Sequence, residues 1–502
     1  MFSLKNVILD VDARAAGWAR NSAKAVCMAA LCAAALLGST LHAQEKQEVT
    51  IGIGTQNSTT NTVTGGIVIK ELKLLDKYLP RTGKYQNTTW KIEWQNFTSG
   101  PPVTNGMLAN KLQIGMMGDY PLLVNGATSQ QKRGNETQLV AIIAYNAFGS
   151  GNGVVVHKDS AYFDLADLKG KTISVPFGSA AHGMLLQAMQ ERGWPDNYWN
   201  LVNQSPEVGT TNLQEKKIDA HADFVPFAEL LPYRGYARKI FDGAQTKIPT
   251  FHGVVVRKDF AEKYPEAVVA YIRALMDAND WVRKDPRLAA QKIEEWTKIE
   301  KEVAYLYLGP GGIHTLDPSI KPRWVETIKT AYGVLHKLGR VKEFDMNAWI
   351  NESYLREAFK ARGADYEAQK QTLANYDIQG TDPICKRPVS RPKEAGEIWL
   401  TTGVMVPVSS PNCLLMGIKQ FEAEGKKVDV AYLFDKELGI KVFADKAFYA
   451  VDASDPKDVR VQPFLLKKDA TGFAAKIGGK LMSYRETLAS LGTATTTVAK
   501  AK

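Results

Sequence analysis

The feature that most constrains this chain is a near-repeat. Gly153-Val154-Val155-Val156-His157-Lys158-Asp159 returns as Gly253-Val254-Val255-Val256-Arg257-Lys258-Asp259. Short apolar runs of one design read as buried strands. The stretch they bracket has an α/β pattern of its own: Leu165–Lys171, a strand at Thr172–Val175, a helix after Gly178 and a strand-like Ile218–Ala222. A chain that leaves one lobe, builds a second and returns by a matching strand forms two lobes joined by two crossings. Such a hinge can close over a ligand.

The residues before the repeat follow the same logic. Glu48–Gly54 alternates apolar and polar positions and runs into Thr55-Gln56-Asn57-Ser58-Thr59, with a helix expected from about Gly65 to Tyr78. Trp90–Trp94 alternates again and leads to Ser99-Gly100-Pro101-Pro102; Leu112–Met117 leads to Gly118-Asp119-Tyr120-Pro121, and Leu139–Tyr145 to Asn146. Strands alternating with helices predict a largely parallel α/β sheet. The polar turns fall at the strand ends, where open α/β sheets gather ligands.

From Pro265 the pattern turns helical, with Val268, Ile272, Leu275 and Met276 on one face, then Pro322–Leu338 and Asn347–Lys360. Residues 366–394 carry Gly380, Pro383, Pro388 and Pro392 and read as a linker. A compact α+β unit is expected over 395–495, with strands at Glu397–Thr401, Val428–Phe434 and Lys441–Ala444 and helices at Asn412–Ala423, Ala470–Lys476 and Ser483–Ser490. The first lobe then comprises 44–152 and the helical return 258–365, the second lobe 153–257, and a tail 496–502 closes the chain.

The first 43 residues are set apart. Arg14, Arg20 and Lys24 precede an apolar run, Ala25–Leu37, that ends in small and polar residues before Ala43. Basic region, short apolar region and small residue, in that order, make a secretory signal, so a periplasmic, exported protein is expected. The run is too short to span a bilayer, which needs roughly 20 residues. Cys27 and Cys32 lack the small residues that precede a lipoprotein anchor. Removing 1–43 takes the net charge from +10 to +8. A mildly basic surface attracts anions weakly, and no basic run is dense enough for nucleic acid. Cys385 and Cys413 remain; in an oxidising compartment they form one disulfide, bind a soft metal together, or stay as buried thiols.

Residues 48–360 resemble the nitrate/sulfonate/taurine class of periplasmic substrate-binding proteins of ABC transporters. The likeness is carried by Ser99-Gly100-Pro101-Pro102 with Met107-Leu108 and Ile114-Gly115, by Gly118-Asp119-Tyr120-Pro121, and by Asp164–Val175 followed by Gly178-Ser179-Ala180-Ala181-His182. Ile218–Ala222 with Pro226-Phe227 completes it. The resemblance implies a two-lobed fold, a small anion such as nitrate, taurine or another sulfonate held between the lobes, an ABC permease in the inner membrane as partner, a monomer, and no catalysis. It points to Gln56, Asn57 and Ser58 in the first loop, Ser99 and Gly100 in the second, and Gly118, Asp119 and Tyr120 in the third. On the second lobe it points to Ser179, Ala180, His182, Asp223 and Phe224, with His252 on the returning strand. Helices starting after Thr55–Thr59, after Pro102 and after Ser179 would aim free N–H groups at one cleft, a cradle suited to oxyanions. Ser58, Ser99 and Ser179 can equally cap those helices. Where members that bind alkanesulfonates often present a tryptophan, Phe224 and Phe227 stand here, and none of the loops holds an arginine.

The C-terminal unit resembles the copper-chaperone family associated with nitrous oxide reductase maturation. The similar stretch is Ala444–Glu486, with Ala447-Phe448-Tyr449-Ala450-Val451, Gln462-Pro463-Phe464, Phe473-Ala474-Ala475 and Gly478-Gly479-Lys480. The family's paired cysteine motif is incomplete, because Lys386-Arg387-Pro388 follows Cys385, and no histidine occurs after His336. The resemblance implies a Cu(I) site from Cys385, Cys413 and Met416, whose thiolate and thioether donors suit that ion. Copper handling is therefore the alternative to solute capture. A pyrimidine-precursor-synthase-like enzyme shares the lobed fold, but it needs a reactive histidine and a cysteine-rich iron site, and the lobes contain no cysteine. Phosphate loops and Ser/His/Asp motifs do not occur.

Overall fold

A computed structural model describes residues 46–491, apart from 338, 375 and 455–458. The expected export signal at 1–43, with Cys27 and Cys32, and the tail 496–502 lie outside the described residues. Among those described, no helix is long and apolar enough to cross a membrane.

The first sheet is entered by β1 (Gln47–Thr55), β2 (Thr88–Asn96), β3 (Ile114–Gly118) and β4 (Thr137–Asn146). Every residue of β4 is buried, as its apolar run predicts. The second sheet comprises β5 (Gly153–His157), β6 (Thr172–Val175), β7 (Asn200–Asn203), β8 (Ala220–Asp223) and β9 (Ala237–Asp242). The chain then returns through β10 (Thr250–Arg257) and β11 (Thr315–Leu316). The strand orders are β11-β4-β10-β3-β1-β2 and β7-β6-β8-β5-β9.

The two members of the repeat therefore lie in different sheets. β5 pairs antiparallel with β8 and β9, whereas β10 pairs antiparallel with β3 and β4. Residues 250–257 thus complete the first lobe and not the second, where 153–257 had been placed. The sheets are mixed, with parallel pairs at β1–β3, β6–β7 and β6–β8 among antiparallel ones. The reason is the crossing itself: a strand entered from the other lobe comes in at the opposite end of the sheet and must run against its neighbours. Between the sheets, the chain crosses at 147–152 and 243–249. These segments run side by side, with Gly243 N donating to Asn152 O at 2.9 Å.

Three helices matter for the site: α1 (Gly100–Leu108), α2 (Asp119–Ser129) and α3 (Ala180–Glu191). In the return, α4 (Pro265–Lys284) starts on proline, ends on Arg283 and Lys284, and buries Val268, Tyr271, Ile272 and Leu275. A helix over Pro286–Thr297 follows, and then α5 (Lys301–Leu308). The helix expected over Gly65–Tyr78 is confined to Ile67–Glu71, with a 3-10 turn at Leu75–Lys77. Lys73 between them adopts a left-handed φ of 53°, which interrupts the helical ladder.

The segment 366–394 is not a free tether. It holds a short helix, Tyr366–Gln371, and a two-residue hairpin of β12 (Thr381–Asp382) with β13 (Arg387–Pro388), and it buries Ile378 and Asp382. Beyond it, β14 (Gly396–Leu400), β15 (Met405–Val408), β16 (Val428–Phe434) and β17 (Lys441–Phe443) form an antiparallel sheet in the order β15-β14-β16-β17. The helix α6 (Pro411–Ala423) covers it, burying Leu414, Leu415 and Ile418. A second small sheet joins β18 (Phe448–Asp452), β19 (Arg460–Phe464) and β20 (Lys480–Met482).

Residues 46–49 and 81–91 form a small unit of their own, in which Gln47 N donates to Asn87 O at 3.0 Å and Tyr85 packs on Trp90 with ring centres 5.5 Å apart.

Candidate functional site

The strand-turn-helix joints place three helix N-termini against one another. α1 starts after Ser99, whose backbone is extended and whose hydroxyl makes no capping bond. α2 starts after Gly118, and Asp119 Oδ1 accepts from the Tyr120 amide at 2.6 Å. α3 starts after Ser179, whose hydroxyl accepts from the His182 amide at 3.3 Å. Gly118 explains how closely they meet: a Cβ there would lie 3.2 Å from Ala180 Cβ and 3.3 Å from His252 Nε2. A Cβ on Gly178 would lie 3.1 Å from Pro101 Cγ. First-lobe and second-lobe helix ends therefore touch and their positive dipole ends share one seam, although Pro101, Pro102 and Pro121 carry no N–H and the Tyr120 and His182 amides already donate to side chains.

The histidines on this seam are kept neutral. Burial drops His182 to about 4, helped by the charge of Arg340, and drops His252 to about 3. His182 Nδ1 accepts from the Gly178 amide at 3.1 Å, and its ring stacks on Phe177 with centres 4.8 Å apart. Tyr120 meets the same ring edge-on at 6.0 Å. Burial lifts Asp119 to about 6, although Thr250 Oγ1 donates to it at 2.7 Å.

Beside this seam lies a group of buried polar side chains. Asn61, in a 3-10 turn over Thr60–Thr62, places Nδ2 3.1 Å from His252 Nδ1. His314 meets His252 edge-on at 6.5 Å and stacks on Tyr307 at 5.5 Å. Gly151 of the first crossing adopts φ +115°, and a Cβ there would lie 2.2 Å from His314 Cε1, so only glycine admits the contact. Its neighbours Ser150 and Asn152 are buried, and Asn152 Nδ2 reaches Thr250 Oγ1 at 3.5 Å. Thr59 Oγ1, Thr60 Oγ1, Asn61 Oδ1, Ser150 Oγ, Asn152 Oδ1 and both nitrogens of His314 have no hydrogen-bond partner within the protein. Buried polar atoms are rarely left so, and each costs about 1–3 kcal/mol unless something binds it. They fall on the first loop, on the first crossing and at His314 before β11.

Of the residues expected at the site, Ser99, Gly100, Gly118, Asp119, Tyr120, Ser179, Ala180, His182 and His252 line or adjoin the seam. Gln56 turns its amide into the fold, donating to Met116 O at 2.8 Å. Asn57 N is held by Asn96 Oδ1 at 2.8 Å, and Ser58 is half-buried beside it. Asp223 is committed to His221 at 2.8 Å and to the Phe224 amide at 2.8 Å, and Phe224 packs edge-on against Phe227 at 6.1 Å. Thr59, Thr60, Asn61, Ser150, Asn152 and His314 were missed. A signal existed for most of them: the run Thr59-Thr60-Asn61-Thr62 continues the first loop, and Gly149-Ser150-Gly151-Asn152 is a polar glycine pair between two strands.

In the C-terminal unit Cys385 and Cys413 are joined as a disulfide, their Cα atoms 5.9 Å apart. Of the alternatives open for them, this is the one the structure holds. The set anticipated for Cu(I) needs two thiolates, and sulfurs bonded to each other carry no such charge. Met416 packs against the apolar core of the unit.

With two α/β lobes, two crossings and a polar seam between them, the chain has the architecture of the two-lobed periplasmic binding proteins. The alkanesulfonate-binding protein SsuA from Xanthomonas axonopodis pv. citri, bound to MOPS, superimposes with a TM-score of 0.52 at 19% identity, over 61% of this chain and 99% of that one. The family described as NMT1/THI5 like matches residues 124–289. The taurine-binding periplasmic protein of Escherichia coli (strain K12) is 30% identical over 213 residues, 42% of this chain and 63% of that protein. A putative aliphatic sulfonates-binding protein of Bacillus subtilis (strain 168) is 25% identical over 213 residues, 42% of this chain and 62% of that protein. The chain thus spans less than two thirds of the length of these relatives, which are themselves named as binding proteins and not as enzymes.

Proposed function

We propose that this protein is the solute-binding component of an ABC importer, acting without catalysis as a periplasmic monomer that delivers its ligand to an inner-membrane permease. The ligand is a small oxyanion such as taurine, another sulfonate or nitrate. The observation that carries the reading is the meeting of three helix N-termini, from both lobes, on one seam. Such ends offer N–H donors and positive partial charge to an oxyanion without any arginine. The buried polar side chains beside them include two acceptors, Asn61 Oδ1 and Asn152 Oδ1, that lack donors. A solute carrying both an oxyanion and an amino group satisfies both halves, which favours an aminosulfonate over nitrate.

The test is a thermal-shift and calorimetric comparison of taurine, ethanesulfonate and nitrate. A ligand at 100 times its dissociation constant adds about 2.7 kcal/mol to the folded state. Taurine is expected to bind most tightly. Ser99→Ala is expected to weaken it about tenfold with unchanged stability, because Ser99 caps nothing. Ser179→Ala, which removes a cap, is expected to cost about 1 kcal/mol of stability as well. A flat response to every anion refutes the reading.

A further inference from the structure

We propose that the Cys385–Cys413 bridge is a thiol–disulfide exchange site for small anionic thiols, attacked at Cys385 with Cys413 as the leaving sulfur. The bridge forms part of the wall of a polar groove of about 550 Å³. Arg387, Arg391, Lys393, Lys436 and Arg460 line that groove against one carboxylate, Glu394. Lys393 donates to Gly439 O and Arg391 pairs with Glu394, yet the balance of charge around the sulfurs remains positive. An anion is drawn to such a wall, and the attraction weakens with salt.

The two sulfurs are not equivalent. Cys413 is 2% exposed and sits in the first turn of α6, a 13-residue helix, where the dipole favours negative charge. Ser410 Oγ donates to its sulfur at 3.0 Å and Arg387 Nη2 at 3.6 Å. Both donors and the helix end stabilise a thiolate there. Cys385 is half-buried, in the turn of the β12–β13 hairpin. The acid beside the sulfurs, Asp382, accepts from the amides of Ile384, Cys385 and Ser409 and from the Ser409 hydroxyl, bonds that outweigh burial and hold its carboxyl below the ordinary pKa, so its charge offsets one of the five cations.

Exchange proceeds in two displacements. An external thiolate attacks Cys385 Sγ; the bond between the protein sulfurs breaks, a bond from the thiol sulfur to Cys385 forms, and the electron pair leaves on Cys413 Sγ. A second thiolate attacks the external sulfur of that mixed disulfide, releasing the oxidised small-molecule disulfide and the Cys385 thiolate, which takes up a proton. Two thiols are oxidised to one disulfide and the protein bridge is reduced to two thiols. The leaving sulfur with the better-stabilised thiolate departs faster, which selects Cys385 as the point of attack.

The experiment uses the whole mature chain with thioglycolate, 2-mercaptoethanol and cysteamine, which carry one negative, no and one positive charge beside the thiol. Rates of protein-thiol release are normalised to each reagent's rate on a neutral small-molecule disulfide, and mixed disulfides are trapped by acid and mapped by peptide mass. Native protein is expected to react without loss of near-ultraviolet dichroism. Thioglycolate should react about tenfold faster than cysteamine at low salt, with the ratio collapsing in concentrated salt. The trapped adduct should sit on Cys385, and Lys436→Glu, on the exposed rim, should cut the thioglycolate preference. A bridge that is reduced only on unfolding, adducts shared equally by both cysteines, or rates indifferent to reagent charge would each overturn the proposal.

Discussion

Lys441 Nζ meets Glu397 Oε2 at 2.5 Å with neither side chain reaching solvent, between the rings of Tyr305 and Tyr432 at 4.6 and 4.8 Å. The same ammonium donates to Pro310 O at 2.9 Å, and Tyr305 OH donates to Glu397 Oε1 at 2.9 Å. Tyr305 belongs to α5 and Glu397 to β14, so a buried ion pair and its aromatic walls fasten the C-terminal unit to the lobes.

Breaking one half of that pair strands the other charge. Lys441→Met is expected to destabilise the protein by about 3–5 kcal/mol, and Lys441→Met with Glu397→Gln by much less, because the cost is chiefly the orphaned carboxylate. Denaturant titration of both variants measures the difference.

A surface pair between the same parts behaves otherwise. Lys468 Nζ lies 2.7 Å from Asp164 Oδ2, with the lysine side chain 67% exposed. Lys468→Ala is expected to change stability by less than about 1 kcal/mol, and by nothing measurable in high salt. Melting curves at two ionic strengths check it.

The buried histidines should cost stability in acid. The folded protein holds His252 at about 3 and His314 well below its ordinary value, both through burial, whereas the unfolded chain titrates near 6.5. Below that pH the unfolded state binds more protons, so each histidine removes about 1.4 kcal/mol per pH unit. Asp119, raised to about 6, works in the opposite sense: its contribution is present below 3.8 and is lost as pH rises through 6. His182, held at about 4, joins the histidine side, and Asp435, raised to about 6, joins Asp119, so the histidine share is read by removing one histidine. His252→Gln is expected to flatten the slope by one histidine's share, read from denaturation midpoints across pH.

A methyl group at the seam should hold the lobes apart. Gly118→Ala places a Cβ 3.2 Å from Ala180 and 3.3 Å from His252 on a backbone of φ −73° that alanine adopts freely. The expected result is about a tenfold loss of affinity for the preferred anion at near-unchanged melting temperature. Calorimetry and small-angle scattering with and without ligand measure both.

The strand-loop-helix joints were legible because their signals are local. Ser99-Gly100-Pro101 and Gly118-Asp119-Tyr120 each follow a strand and open a helix, as expected from capping residues and an early proline, and α6 was found to within a residue. Ser150, Asn152 and His314 carried no comparable mark. Their importance lies in being buried near Asn61 and His252, a contact that itself spans 191 residues of chain. The hinge was placed too late along the chain for a related reason: the two copies of Gly-Val-Val-Val look alike, yet one is flanked by β8 and β9 and the other by β3 and β4.

By itself, then, the amino-acid sequence determined the alternation of strands and helices, the two-lobed plan and the loops at the cleft. These follow from periodicity and capping, which act within a few residues. The tertiary structure alone decided which sheet receives each copy of the repeat, which polar side chains are left without partners, and that Cys385 closes on Cys413. Those outcomes depend on how the chain crosses between lobes and on what is buried when it does, and no local pattern carries that information.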